Sequence, residues 1–182
     1  MPKSIPTPCT KQEIDSLIEA AIDNDFFYTL FKLAKKTGRR LGEYYEIMVK
    51  DIDWENKTVL TKVLKRRKRI EKEALLDDDM IHLLKRFIQK EGLKLDDYLF
   101  HKYSYRHIQN RVTHYAKKAE INHPVSFHNF RHYLITGLIK SGMSYDQVSK
   151  ITGHSSVGTI SVYDHSVASD IREKAMDAMR DL

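Results

Sequence analysis

S-F-H-N-F-R-H, residues 126–132, opens the stretch whose reading decides the fold. After a helical run to Gly142, the same stretch closes with I-T-G-H-S-S-V-G-T-I-S-V-Y-D-H, residues 151–165. His128 and Arg131 are three apart and share one face of the predicted helix, which Ser126 should cap. Phe130, Tyr133, Leu134, Leu138 and Ile139 form its apolar stripe. Ser144 and Gln147 make a capping box for a short helix that ends at Gly153, so His154 falls just past a helix end, where glycine lets the backbone turn sharply. Tyr163 follows nine residues later. The order is a set of phosphate-binding donors and then a phenol. Two polar residues one turn apart occur by chance in many helices; their combination with G-H and then Y-x-H is far more specific.

Composition sets outer bounds. A chain of 182 residues suits one domain and buries roughly 70% of its surface on folding. Lys and Arg outnumber Asp and Glu by 31 to 25, a net charge of +6 that fits an anionic partner without identifying it. A single cysteine, Cys9, permits no internal disulfide and points to a reducing, intracellular setting. No apolar run approaches the ~18 residues of a membrane span and no signal peptide is legible, so a soluble, cytoplasmic protein is expected.

Upstream, residues 1–9 contain three prolines and read as a linker stub, with the domain running over 10–182. A capping box at Thr10 and Glu13 opens a helix with Ile14, Leu17, Ile18, Ala21 and Ile22 inward; a second helix carries Phe26, Phe27, Leu30, Phe31 and Leu33 and ends near Gly38. T-G-R-R-L-G-E-Y-Y-E-I, residues 37–47, is a glycine turn opening another helix, where a guanidinium beside free N–H groups can grip a phosphate oxygen. A turn at Asp53–Asn56 leads into two charged strands, a hairpin with eight Lys or Arg between Lys57 and Lys72. Asp77–Asp79 caps a helix ending at Gly92, Asp96–Phe100 leads into a short strand, and Ser104 opens a basic helix to about Glu120 with Ile108, Val112, Tyr115 and Ala116 inward. A last amphipathic helix is expected over 168–179. The class is mainly α with a small antiparallel β-hairpin or sheet. His101, His107 and His114 lack the spacing and companions of a zinc site, and the His128/His132 pair has Asn129 where a zinc protease needs glutamate, so neither metal nor cofactor is expected.

The 126–165 stretch resembles the C-terminal half of the tyrosine recombinase catalytic domain, the phage integrase and Xer-like family, whose pattern runs H-x-x-R-H, L-G-H and a nucleophilic tyrosine. His128, Arg131, His132, His154 and Tyr163 match it, with Thr152 where leucine is usual. The family's T-G-x-R-x-x-E matches Thr37, Gly38, Arg40 and Glu43, with Arg39 at a usually apolar position. The resemblance covers residues ~10 to 182. It implies the fold of a DNA breaking-rejoining enzyme, lacking the family's N-terminal core-binding domain. It further implies that Tyr163 is the nucleophile, that Arg40, Arg131 and His154 bind the scissile phosphate, that His128 helps accept the tyrosine proton, and that Glu43 supports Arg40 or His128. A hairpin lysine protonates the leaving oxygen: Lys65 is the best match, with Lys62 and Lys68 as rivals. Arg39, Lys62, Arg66, Arg67, Lys68, Arg69, Arg106, Arg111 and His132 are the expected DNA contacts. The partner is double-stranded DNA, with a tetramer on DNA, a monomer when free, and a nucleoid-associated location. Two other readings are a type IB topoisomerase-like enzyme and a non-catalytic DNA-binding regulator of the same fold.

Overall fold

The computed structural model describes residues 8–65 and 68–153, the side chains of 63–70 excepted. Two helices open the chain, α1 over Lys11–Glu19 and α2 over Asp25–Thr37. The predicted box caps α1: Thr10 Oγ1 accepts from the Glu13 amide at 3.2 Å, and Glu13 Oε2 accepts from the Thr10 amide at 2.7 Å. Asn24 caps α2 through the Phe27 amide at 3.2 Å, and Gly38 ends it at φ +57°. The short α3, Leu41–Tyr45, follows, then three strands, β1 (Ile52–Asp53), β2 (Thr58–Lys65) and β3 (Lys68–Leu75). They form an antiparallel sheet in the order β1-β2-β3. Helices α4 (Asp78–Glu91), α5 (Tyr105–Lys118), α6 (His128–Lys140) and α7 (Tyr145–Thr152) complete the described chain.

The packing is centred on α2. Phe26, Phe27, Leu30, Phe31, Leu33 and Ala34 are all buried, which covers more than one face, and α2 packs against α1, α4 and α6. Its rings connect the layers: Phe26 meets Phe100 edge-on at 5.6 Å, Phe27 stacks on Tyr103 at 5.4 Å, and Phe31 lies 5.3 Å from Phe130 of α6. Burying each such side chain contributes about 1.5–3 kcal/mol. That anchors α6, with its arginine and histidines, to the centre of the molecule.

In the sheet, Val59 pairs with Ala74, Thr61 with Lys72 and Lys65 with Lys68. Val59, Thr61 and Ala74 are buried, so the period of two places Lys72 on the inward face. Asp53 holds the β1–β2 turn by accepting from the amides of Glu55 and Asn56 at 3.0 and 2.8 Å.

Two local expectations are corrected. Ser126 does not cap α6: the cap position is Phe127, and the Ser126 hydroxyl instead donates to Asn129 Oδ1 at 3.1 Å. Around Asp96–Phe100 the pairing is a single antiparallel bridge, Tyr98 to Met48, made by the Val49 amide donating to the Asp97 carbonyl and the Leu99 amide to the Ile47 carbonyl. The last predicted helix lies outside the described residues.

Candidate active site

The site forms where the turn after α2, strand β3 and the α6–α7 pair meet. Gly38 must be in the left-handed region to end α2, and it lies so close to α6 that a Cβ would come 2.7 Å from Leu134 Cδ2. A directed chain of donors holds the turn. The Arg39 amide donates to Tyr44 Oη at 2.8 Å, Tyr44 Oη and Thr37 Oγ1 are 2.7 Å apart, and Thr37 Oγ1 donates to Leu33 O at 2.8 Å. Tyr44 is fully buried, and that burial pushes its phenol pKa well above the ordinary value.

From this turn the two adjacent arginines diverge. Arg40, at the cap position of α3, keeps its side chain 48% exposed, and its Nη1 donates to Glu43 Oε1 at 3.1 Å. The Glu43 side chain is only 6% exposed, so a buried carboxylate orients a guanidinium that faces outward. Arg40 lines a cavity of about 300 Å³ together with Tyr105, Gln109, Ser126 and His128. Arg39 turns inward and is 1% exposed; its Nη2 donates to the Glu73 carbonyl of β3. Arg39, expected among the DNA contacts, packs its guanidinium against β3 and also lines the Arg40 cavity.

Arg131 is buried at 1% exposure, and its Nη1 donates to Gly38 O at 2.6 Å and Thr152 O at 2.8 Å. Those carbonyls terminate α2 and α7, where helix dipoles favour a cation. His128 is exposed one turn before it; burial of the ring, then the charges of Arg131 and Arg40, hold its pKa below 6.5. His132 is pushed down to about 4 by burial, His128 and Arg131, and its ring sits 5.3 Å from that of His128. Both shifts favour the neutral imidazole at pH 7.

Two further expected contacts are placed elsewhere. Lys62 pairs with Asp51 at 2.5 Å, its side chain 12% exposed. Arg111 folds onto the core, its guanidinium 4.8 Å from the Tyr115 ring centre and 5.6 Å from that of Phe27. Arg106 is exposed, as anticipated. Lys65 and Lys68 form the last backbone pair of the β2–β3 ladder. His154, Tyr163, Arg66 and Arg67, and the side chains of Lys65, Lys68 and Arg69, lie outside the described residues.

Sequence reasoning missed Lys72, whose Cδ would lie 3.2 Å from a Cβ on Gly153. Its place two residues before the buried Ala74, on the inward strand face, was the available signal. It also missed the Tyr44–Thr37 pair, because a tyrosine in a helix gives no sign of what its hydroxyl meets. Away from the site, Cys9, Glu13 and His123 bring ligand-type atoms within 4.8 Å of one another. Burial, then the Glu13 charge, pushes the Cys9 thiol up to about 11, and Glu13 spends its oxygens on Thr10 and on His123 at 3.0 Å. The cluster reads as packing at the start of α1.

Among the described residues, no helix is long and apolar enough to cross a membrane. The chain is 29% identical over 150 residues to tyrosine recombinase XerA of Saccharolobus solfataricus, an alignment covering 82% of this chain and 49% of that protein. A tyrosine recombinase of Pseudothermotoga lettingae is 27% identical over 168 residues, covering 91% and 58%. The chain thus spans about half the length of these curated relatives. In fold it is similar to a crystal structure of XerA recombinase, with TM-score 0.82 and 24% identity over 98% of this chain and 65% of that one. It is also similar to XerH site-specific recombinase bound to palindromic difH substrate in a post-cleavage complex, with TM-score 0.80 and 22% identity over 94% and 53%. Residues 9–169, the span that holds the inward-facing α6 and the turn after α2, match the phage integrase family, and the chain belongs to that family.

Proposed function

We propose that residues 10–182 are the catalytic domain of a site-specific DNA recombinase or integrase that cleaves and rejoins double-stranded DNA through a 3′-phosphotyrosine, residues 1–9 being a linker stub. One observation carries this reading: an outward guanidinium held by a buried carboxylate lines one cavity with a histidine whose pKa is held down, and a second, buried guanidinium lies one helical turn after that histidine. The names of the curated relatives and the DNA complexes among the similar folds support it.

Phosphodiester cleavage needs an in-line nucleophile, stabilisation of charge on the non-bridging oxygens, and a proton for the departing alkoxide. Tyr163 attacks phosphorus as the 5′-oxygen leaves. Arg40 offers planar donors to the non-bridging oxygens, Arg131 places positive charge behind them, and His154 adds a donor. His128, neutral at pH 7, accepts the phenol proton. Lys65 delivers a proton to the 5′-oxygen, with Lys62 and Lys68 as rivals; the ion pair of Lys62 with Asp51 supports Lys65 over Lys62. The phosphotyrosine conserves the bond energy, so another strand's 5′-hydroxyl reverses the step without ATP. On DNA the protein assembles as a tetramer; free, it is a monomer in the cytoplasm, associated with the nucleoid.

A nicked suicide duplex tests the reading. Wild type should form a covalent DNA adduct at Tyr163, while Tyr163→Phe binds the duplex equally well and forms none. An adduct in that variant mapped to Tyr133 or Tyr145 overturns the nucleophile. No adduct in wild type overturns the enzyme reading and leaves a DNA-binding regulator.

A further inference from the structure

We propose that Arg39 is a positioning residue for strand transfer: its buried guanidinium sets the β2–β3 hairpin, and the lysine that hairpin carries, at a fixed distance from Arg40. The proposal rests on the recombinase reading above.

Arg39 is among the largest fully buried side chains in the molecule, and among the described residues it forms no ion pair. Taking a guanidinium out of water costs several kcal/mol, which the nearby Glu43 charge offsets only in part because burial outweighs it, so an apolar side chain of similar length would be the more stabilising choice for packing alone. The contacts show what the guanidinium does there. Its backbone amide is fixed by Tyr44, and its Nη2 reaches across to the carbonyl of Glu73 on β3. Its Nη1 rests against the end of α7, so near that a Cβ on Gly153 would lie 2.1 Å away. The same imagined Cβ meets Lys72 Cδ at 3.2 Å, which puts β3, α7 and Arg39 in one tight junction. Nε and Nη1 have no hydrogen-bond partner. They face a helix C-terminus, where partial negative charge favours a cation without a formal bond.

Each segment at this junction leads to a group in the proposed chemistry. Arg40 is the next residue, β3 is half of the lysine hairpin, and Gly153 directly precedes His154 in sequence. A methionine could fill the same space, but it could not bond to a strand carbonyl. Loss of that bond frees β3 to slide against the turn after α2, and with β3 goes the lysine near the tip.

The test uses the full chain and two variants, Arg39→Met, which fills the space, and Arg39→Lys, which keeps one donor. Amide hydrogen exchange of β3 reads the tie itself. Single-turnover cleavage is measured on ordinary suicide DNA and on DNA with a 5′-bridging phosphorothiolate, whose leaving group needs no proton. Arg39→Met should exchange its β3 amides about tenfold faster and cleave ordinary DNA at least about tenfold more slowly, yet cleave phosphorothiolate DNA within about threefold of wild type. Arg39→Lys should recover part of both losses, and it carries the same comparison if Arg39→Met fails to fold. Unchanged exchange, wild-type cleavage of ordinary DNA, or equal slowing on both substrates each overturns the proposal. If wild type itself forms no adduct, the recombinase reading fails, and the exchange measurement alone decides whether Arg39 holds the hairpin.

Discussion

His132 binds a proton far less readily in the folded protein than in the unfolded chain, with a pKa of about 4 against 6.5. The unfolded state therefore takes up more protons between those values. The stabilisation from keeping this ring neutral is fully present above pH 6.5 and is lost as pH falls toward 4. Urea titrations should show the unfolding midpoint dropping across that window, and His132→Gln should flatten the slope; an unchanged slope assigns it to other groups. Arg40 and Glu43 offer a second test. Arg40→Ala should slow single-turnover cleavage by about 10²–10³-fold, the usual loss for one preorganised donor. Glu43→Gln keeps the shape and removes the charge that aims Arg40, so its slowing should be smaller, about tenfold, with DNA affinity little changed. Wild-type cleavage by Glu43→Gln would remove Glu43 from the mechanism. The spacing of Arg40 to Glu43 was legible in sequence because it is a local, one-turn relation. The inward turn of Arg39 was not, since neighbouring arginines look alike until β3 and Gly153 are packed against one of them. The ion pair of Lys62 was not legible for the same reason: Asp51 reaches it through the fold of the sheet.

Among elements, the readable features were those decided within four residues. Thr10, Asp77, Ser104 and Ser144 each cap the helix they were expected to cap, and Gly38, Gly92 and Gly153 end theirs in the left-handed region. Ser126 failed because Asn129 Oδ1 draws its hydroxyl and amide away from the helix start. The stripe along α6 was only half right. Tyr133, Leu134, Leu138 and Ile139 are partly exposed, while Arg131 and Asn129 take fully buried positions that periodicity assigns to apolar residues. Such reversals are expected where a helix serves a site as well as a core. Gly153 is where element and site are most tightly coupled. Gly153→Ala forces a side chain into φ +73° and onto Arg39 Nη1, so it should lower stability by about 2–4 kcal/mol, from backbone strain plus overpacking. Gly92→Ala shares the positive φ but meets nothing within 4 Å, and should cost only about 1 kcal/mol. Equal losses in the two variants by urea denaturation would mean that the Arg39 contact contributes nothing.

For the molecule as a whole, a net charge of +6 and phosphate as the proposed ligand make binding by residues 1–182 a matter of counter-ion release. Affinity for duplex DNA should fall steeply and log-linearly with salt. Sub-nanomolar, sequence-specific binding at physiological salt would contradict the picture of a domain spanning about half of its relatives' length. Net charge was plain from composition; that Arg39 and Arg131 are interior was not, since burial is a property of the assembled layers. The interior placement of Arg39 and Arg131 has a thermodynamic consequence. Burying two guanidiniums costs the native state free energy, and an anion bound near them would offset part of that cost only when the chain is folded. On the proposed reading DNA is then a folding ligand as well as a substrate, and at a hundred times its Kd it should add about 2.7 kcal/mol to the unfolding free energy. The protein should be at its most fragile when unoccupied, and proteases should clear the idle form faster than the copies already seated on a duplex.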